Sequence, residues 1–183
     1  MKSSLYSQDM YKYDTPENSL WESTQGDAVV DTKKIEGSNF CEVAIIGGGY
    51  TGLSAAYHLA KDYDIDVAIL EAGHFGWGAS GRNGGFCSVG GVAESSENLI
   101  KQYSLEDVRS YYQSQVDAIE LVRNNIIDEQ MDIKIQGSAE IQVARSKRNL
   151  EEMTEHAVFQ RKSLGLDATV ISKLKKQNAI FIG

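Results

Sequence analysis

The feature that most constrains the fold of this chain is a glycine-rich segment between two apolar stretches. Residues 43–52 read VAIIGGGYTG, so Gly47, Gly49 and Gly52 have the spacing G-x-G-x-x-G. The apolar run before them is typical of a buried strand, and the residues after them have helical periodicity to about residue 61. The segment therefore predicts a strand, a tight turn and a helix. We call residues 47–52 the glycine turn.

Each of these three positions requires glycine for a different structural reason. Gly47 lets the backbone turn tightly off the strand, and Gly49, which lacks a Cβ, lets a pyrophosphate touch the main chain. Gly52 lets the helix pack closely against the strands. The helix start offers unpaired N–H groups and a positive dipole end to phosphate groups. The glycine turn is therefore a candidate dinucleotide site rather than a purely structural turn.

A second apolar run, residues 66–70, ends directly before Glu71. A carboxylate about 20 residues after the last glycine accepts hydrogen bonds from the adenosine ribose in dinucleotide-binding folds. Taken alone, Glu71 would be better interpreted as a solvated acid at a strand end, so its role at the ribose depends on the glycines. A carboxylate here repels a 2′-phosphate, which disfavours NADP and leaves FAD or NAD.

A second glycine cluster, residues 76–85, reads GWGASGRNGG, and we call it the glycine loop. Its glycines exclude regular structure, because each of them costs backbone entropy on ordering. The segment is either a flexible linker or a loop that passes close to a bulky ligand. Flexible linkers are usually rich in Ser and lack Trp, whereas this one carries Trp77, Arg82 and Asn83. We therefore expect it to approach a cofactor.

Together these segments resemble the FAD-dependent oxidoreductases of the glycine/D-amino-acid oxidase type. The resemblance rests on VAIIGGGYTGLSAAYHLA, VAILEA and GWGASGRNGGF, is strong over residues 43–86 and continues more weakly to about residue 172. The ASGRNGG signature is most similar to the branch that contains gamma-glutamylputrescine oxidase. The resemblance implies an α/β fold, with a Rossmann-like FAD-binding βαβ domain followed by the start of an α+β substrate domain.

The resemblance also implies where FAD binds. The glycine turn would surround the diphosphate, Glu71 would take the ribose, and the glycine loop would approach the ribityl chain and the isoalloxazine. In some relatives a histidine of this loop attaches the flavin covalently, but Arg82 stands near that place, so we expect non-covalent FAD. The implied cofactor-binding residues are Gly47, Gly49, Tyr50, Thr51, Gly52, Glu71, Ala72, Ala79, Ser80, Arg82, Asn83, Gly84 and Gly85.

Composition narrows the partners and the compartment. The formal net charge of −8 argues against nucleic acid and anionic membranes, which require a basic face. Only two cysteines occur, which fits a reducing compartment. There is no apolar run of about 20 residues to span a bilayer, and the first residues lack the apolar centre of a signal peptide. We expect a cytoplasmic protein that acts on a small molecule, without a metal, and the oligomeric state stays open.

Beyond the glycine loop, the pattern predicts two helices. Ser104 and Asp107 have the spacing of a capping box, and apolar residues then recur every three or four positions as far as Ile126. Ser146 predicts the start of the second helix, and Gly165 predicts its end.

Between and after these helices, the pattern predicts strands. Two runs that alternate apolar and polar residues around Gly137 predict a β-hairpin over residues 133–143. A short strand near residues 168–171 and a helix start at Ser172 follow.

The order of these elements predicts three parts. Residues 1–40 form an N-terminal arm pinned by its aromatic side chains, or else a disordered tail. Residues 41–103 form the FAD-binding part, and residues 104–183 form a helix and the incomplete beginning of a substrate or cap domain. Because the resembling enzymes are much longer, we expect an N-terminal fragment whose specificity pocket lies beyond residue 183.

The resemblance implies oxidation of the CH–NH bond of an amine or amino acid, with a hydride passing to flavin N5 and oxygen as the electron acceptor. The substrate and the acceptor stay open, and no catalytic residue can be named. An NAD-dependent dehydrogenase is one alternative, but it leaves the glycine loop unexplained. A truncated, non-catalytic fragment that binds FAD weakly or not at all is another.

Overall fold

The computed structural model describes residues 7–8, 12–13, 19–24 and 32–171. The chain divides into two compact units, residues 1–86 and residues 87–183. The predicted helix start at Ser172 lies outside the described residues, as does much of the predicted arm. The predicted three-part division stays a prediction.

The first unit contains the βαβ element that the glycine spacing predicts. A short helix α1 (Leu20–Thr24) comes first, followed by strand β1 (Val43–Ile46), helix α2 (Tyr50–Tyr63) and strand β2 (Val67–Leu70). The two strands are parallel and pair in register along their whole length. Since α2 connects two parallel strands, both strands end at the same edge of the sheet. The glycine turn follows β1 at this edge, and Glu71 follows β2.

Helix α2 ends at a residue other than glycine whose backbone adopts the left-handed conformation. Asp64 has φ +55°, and its N–H donates to the carbonyl oxygen of Ala60 at 3.1 Å. The next N–H, that of Ile65, donates to Leu59 at 3.2 Å. These bonds satisfy the last helical carbonyls and turn the chain into β2. Aspartate tolerates this conformation better than most side chains do.

The second unit is helical in its described part. Helix α3 (Ser96–Gln102) follows Ser95, whose side chain accepts the N–H of Asn98. Helix α4 (Leu105–Asp128) begins with the predicted capping box, because the side chains of Ser104 and Asp107 each bond the other's backbone N–H. The capping prediction is confirmed, whereas α3 was not predicted.

Helix α5 (Lys147–Phe159) begins after Ser146 and continues as a π-helical segment, Gln160–Leu164. Gly165 ends it in the left-handed conformation at φ +73°, as predicted. The π-helical segment packs against α4, with Val108 and Leu164 as the buried apolar side chains of this unit among the described residues. The side chain of Arg109 also donates to the carbonyl oxygen of Ser163.

The structure contradicts the predicted β-hairpin over residues 133–143 and the predicted strand near residues 168–171. In the described part of the chain neither segment forms a strand. Ile133 and Val143 are 51% and 72% exposed, so no described residue covers the apolar face that their alternation predicts. An isolated two-stranded hairpin is only marginally stable in water, and the alternating pattern is therefore insufficient here. None of the described helices is both long and apolar enough to cross a bilayer.

The capping box of α4 can be tested by replacing Ser104. We expect Ser104→Ala to lower the free energy of unfolding by about 1 kcal/mol, because one backbone N–H loses its side-chain acceptor. The measurement is urea unfolding followed by circular dichroism. The matched control is Ser110→Ala, at an exposed position within α4, which should change stability by less than about 0.5 kcal/mol. Equal losses in the two variants would show that the cap contributes nothing.

Candidate cofactor site

The glycine turn leaves β1 while it is still bonded to β2. The N–H of Gly47 donates to the carbonyl oxygen of Leu70 at 2.8 Å, and its φ of +102° is a conformation that side chains rarely adopt. Gly49 then caps α2 in an extended conformation and supplies no side-chain hydrogen bond to the helix start. The first turn of a helix of 14 residues therefore begins without a side-chain cap of its own.

Gly52 marks the closest backbone crossing in this turn. An ideal Cβ on Gly52 would overlap the carbonyl oxygen of Gly47 and would lie 3.2 Å from Cγ2 of Ile45. Any side chain would therefore push α2 away from the end of β1. This geometry supplies the helix–strand packing reason for the third glycine of the motif.

Glu71 holds the glycine turn through its carboxylate. Oε2 accepts the N–H of Gly48 at 2.6 Å, and Oε1 accepts the N–H of Gly73 at 2.9 Å. Burial raises the pKa of this carboxyl, but the backbone N–H groups of Gly73, Gly48 and Ala72 lower it. His74 adds a further lowering, and the pKa of Glu71 lies below its ordinary value of 4.5. The carboxylate is therefore ionised at neutral pH.

Ser80 ties the glycine loop to the glycine turn. Its Oγ accepts the N–H of Tyr50 at 2.9 Å, which is the first N–H of α2. An ideal Cβ on Gly49 would lie 2.9 Å from the same oxygen, so the two segments touch at a position without a side chain. The N–H of Gly76 also donates to the carbonyl oxygen of Gly48 at 2.9 Å. The two glycine segments are therefore held side by side.

Asn83 shapes the glycine loop through its side chain. Nδ2 donates to the carbonyl oxygens of Ala79 at 3.1 Å and Ser80 at 2.8 Å. Oδ1 accepts the N–H of Gly85 at 2.7 Å. Ala79–Gly81 form a single 3-10 turn inside this framework. The amide of Asn83 thus links the two halves of the loop.

Arg82 lies against Trp77. Its Nε donates to the carbonyl oxygen of Trp77 at 2.7 Å, and its Cζ lies 4.3 Å from the centroid of the indole ring, a cation–π contact. Trp77 is the buried apolar side chain of this unit in the described part of the chain. Its buried Nε1 has no hydrogen-bond partner among the described residues.

The structure brings most of the sequence-predicted residues together, with two residues outside the contacts above. Thr51 is exposed in the first turn of α2, and Gly84 contributes only a close approach to the ring of Phe86. Gly48 was missed: an ideal Cβ there would overlap the ring of Phe75, and the available signal was the third glycine of the GGG run. Gly73, which donates to Glu71, was also missed, and no spacing in the sequence marks it.

These features fit the chemistry of FAD. A turn without side chains and a helix start suit a diphosphate, and an ionised carboxylate at a strand end suits a ribose diol. Glu71 has about four acceptor positions, so bonds to Gly48 and Gly73 leave room for hydroxyl donors. The orphan Nε1–H of Trp77 adds a buried donor in the glycine loop.

Comparison with known proteins identifies relatives of the chain. The family model of FAD-dependent oxidoreductases matches residues 42–181. Gamma-glutamylputrescine oxidoreductase of Escherichia coli is 40% identical over 92 residues, which are 50% of this chain and 21% of that protein. No solved structure shows significant similarity.

Two further relatives align over shorter segments. The probable oxidoreductase OrdL of Rhizobium meliloti is 57% identical over 54 residues, 30% of this chain and 12% of that protein. Sarcosine oxidase subunit beta of the same species is 51% identical over 43 residues, 23% of this chain and 10% of that protein. The chain therefore matches about a fifth or less of the length of these three relatives.

Gly52 provides a test of the turn. We expect Gly52→Ala to lower the free energy of unfolding by about 3 kcal/mol, because a Cβ would overlap the carbonyl oxygen of Gly47. The measurement is urea unfolding followed by tryptophan fluorescence, since both tryptophans belong to the first unit. The control is Gly78→Ala, where φ is −74° and no atom lies within 4 Å of the added Cβ. A Gly52→Ala protein as stable as the unaltered one would contradict the close approach of Gly52 to the carbonyl oxygen of Gly47.

Glu71 provides a test that depends on pH. Its pKa is lower in the folded than in the unfolded chain, so its stabilisation is complete above the ordinary value of 4.5 and is lost as pH falls through the folded pKa. We expect Glu71→Gln to be less stable near neutral pH, with the difference shrinking in acid. Exposed Glu36→Gln is the control, and urea unfolding across pH is the measurement. A stability difference that grows in acid would contradict the lowered pKa of Glu71.

Proposed function

Since the chain belongs to the FAD-dependent oxidoreductase family, we propose that it takes part in oxidising the CH–NH bond of an amine or amino acid. Membership of this family confirms FAD as the cofactor, and its non-covalent binding is in line with a glycine loop that carries Arg82 near the place of the attaching histidine of some relatives. The proposal includes the oxidation of an amine, the identity of that amine and the use of oxygen as the electron acceptor. It also includes a cytoplasmic location.

One observation carries the cofactor site on which the proposal rests: Ser80 joins the glycine loop to the first N–H of α2. A site for NAD would need the glycine turn and Glu71 but would give no reason for a second glycine segment bonded to the first. A cofactor with a diphosphate and a bulky ring system gives both segments a role. The bond between them thus favours FAD at this site over NAD.

The proposed roles follow from the donors and acceptors of each group. The N–H groups at the start of α2 would hold the diphosphate, and Glu71 would accept the ribose hydroxyls. The hydroxyl of Ser80 accepts from Tyr50 and keeps its own hydrogen to donate to a phosphate oxygen. Ser80 would therefore both bind the cofactor and hold the loop that covers it.

Bound FAD supplies the acceptor for a hydride from the carbon beside the substrate nitrogen. Arg82 cannot be a base, because its guanidinium stays protonated. Its contacts with Trp77 fix the direction of its positive charge. A fixed positive charge in the glycine loop would stabilise negative charge that develops nearby during the reaction.

The substrate class is drawn from the relatives. One relative is named for gamma-glutamylputrescine and another for sarcosine, which share a C–H group beside an amine nitrogen. We propose an amine of this class, with gamma-glutamylputrescine as the first candidate because its alignment extends over half of the chain. The predicted limits of the FAD-binding part, residues 41–103, belong to the same proposal.

The proposal is tested with the full-length protein that carries this sequence. We expect the purified protein to show flavin absorption bands, and acid precipitation to release FAD into the supernatant. Adding gamma-glutamylputrescine without oxygen should bleach the bands, and oxygen should restore them with formation of peroxide. A colourless protein that binds NADH would overturn the cofactor site, and flavin that no amine bleaches would overturn the reaction.

Ser80 supplies the matched comparison for the cofactor site. Ser80→Ala should weaken FAD binding by about tenfold, the size expected for losing one hydrogen bond to a charged group. Ser54→Ala, at an exposed position within α2, is the control and should bind FAD like the unaltered protein. Equal affinities of all three proteins would remove Ser80 from the site.

A further inference from the structure

Three side chains from the described part of the segment before β1 contact the glycine loop region of the first unit. Tyr13 lies against Trp77 with ring centroids 4.9 Å apart, and Glu22 pairs with Nε2 of His74 at 2.9 Å. Trp21 donates a hydrogen bond from Nε1 to the carbonyl oxygen of Asn83 at 2.9 Å. All three contacts fall on the glycine loop or the residues directly before it.

Trp21 makes the contact with the most specific geometry. Its hydrogen bond reaches the residue whose side chain holds both halves of the glycine loop. Its ring occupies the space beside Gly85, where an ideal Cβ would lie 2.5 Å from the indole carbons. Gly85 also has φ +73°. The loop therefore bends around the indole at a position that needs glycine for two separate reasons.

A loop this rich in glycine has many conformations of similar energy, and ordering it costs entropy. If that ordering happened only on cofactor binding, the cost would be taken from the affinity. Contacts from outside the loop can order it beforehand. Trp21 and Glu22 lie next to each other in α1 and reach the loop region from outside it.

We propose that Trp21 is a positioning residue for FAD, which holds the glycine loop in its cofactor-binding conformation through Asn83 and Gly85. This inference rests on the proposed role of the glycine loop. Trp21 would act through the glycine loop and not directly on the reacting atoms. The effect of Trp21 is to lower the ordering cost of binding.

The first experiment measures FAD affinity in the full-length apoprotein by flavin fluorescence titration. We expect Trp21→Ala to weaken binding about tenfold, and Trp21→Phe, which keeps a ring but loses the N–H donor, to weaken it about threefold. The control is Phe40→Ala, which removes an aromatic side chain that is 96% exposed in the same unit and should leave affinity unchanged.

A second experiment separates loop ordering from general stability. Trypsin cleaves after Arg82 in the glycine loop and after Lys61 in α2, so the same chain carries both the probe and its internal control. Trp21→Ala should speed cleavage after Arg82 in the apoprotein and leave cleavage after Lys61 unchanged, and FAD should restore protection at Arg82. A general loss of stability would speed cleavage after both Arg82 and Lys61.

A double substitution tests the contact itself. Gly85→Ala collides with the Trp21 ring, so part of its effect on FAD affinity should disappear in the Trp21→Ala background, while the strain of the positive φ stays. Strictly additive effects would contradict the contact.

The outcomes distinguish this inference from the proposed function. An unaltered protein without FAD affinity would overturn the function. An unaltered protein that binds FAD, together with Trp21→Ala that matches it in affinity and in cleavage after Arg82, would overturn the inference alone.

Discussion

The site depends on one carboxylate bonded to two backbone N–H groups. Glu71 leaves β2 and accepts from Gly48 on one side and Gly73 on the other, so the end of one strand fixes the turn that leaves its neighbour. The same N–H groups keep the carboxyl ionised against the effect of burial. Without this clamp, the position of the glycine turn, the start of α2 and the bond to Ser80 would each lose a support.

The sequence predicted those parts of the fold that short-range physics decides. Gly52 had to be glycine because the helix crosses the strand there, and Ser104 and Ser146 begin helices because their side chains can accept from the first helical turn. The placement of Glu71 after β2 also followed from spacing. Such elements depend on residues within one turn or one crossover, which a single sequence displays.

The parts that were missed or wrong depend on surroundings. Alternation at Ile133 and Val143 would have needed a covering surface to become a hairpin, and the described chain gives none. The donor at Gly73 is a backbone N–H, which every residue except proline carries, so the residue type does not mark it. The bond between Trp21 and Asn83 joins residues 62 positions apart, beyond the reach of any local pattern.

The tryptophans have an optical consequence. The chain contains two, Trp21 and Trp77. One is bonded to the glycine loop and the other lies within it. The tryptophan fluorescence of this sequence therefore comes from the glycine loop and its immediate surroundings. The protein carries a native reporter whose colour and brightness follow the hydration of that neighbourhood, with no dye attached.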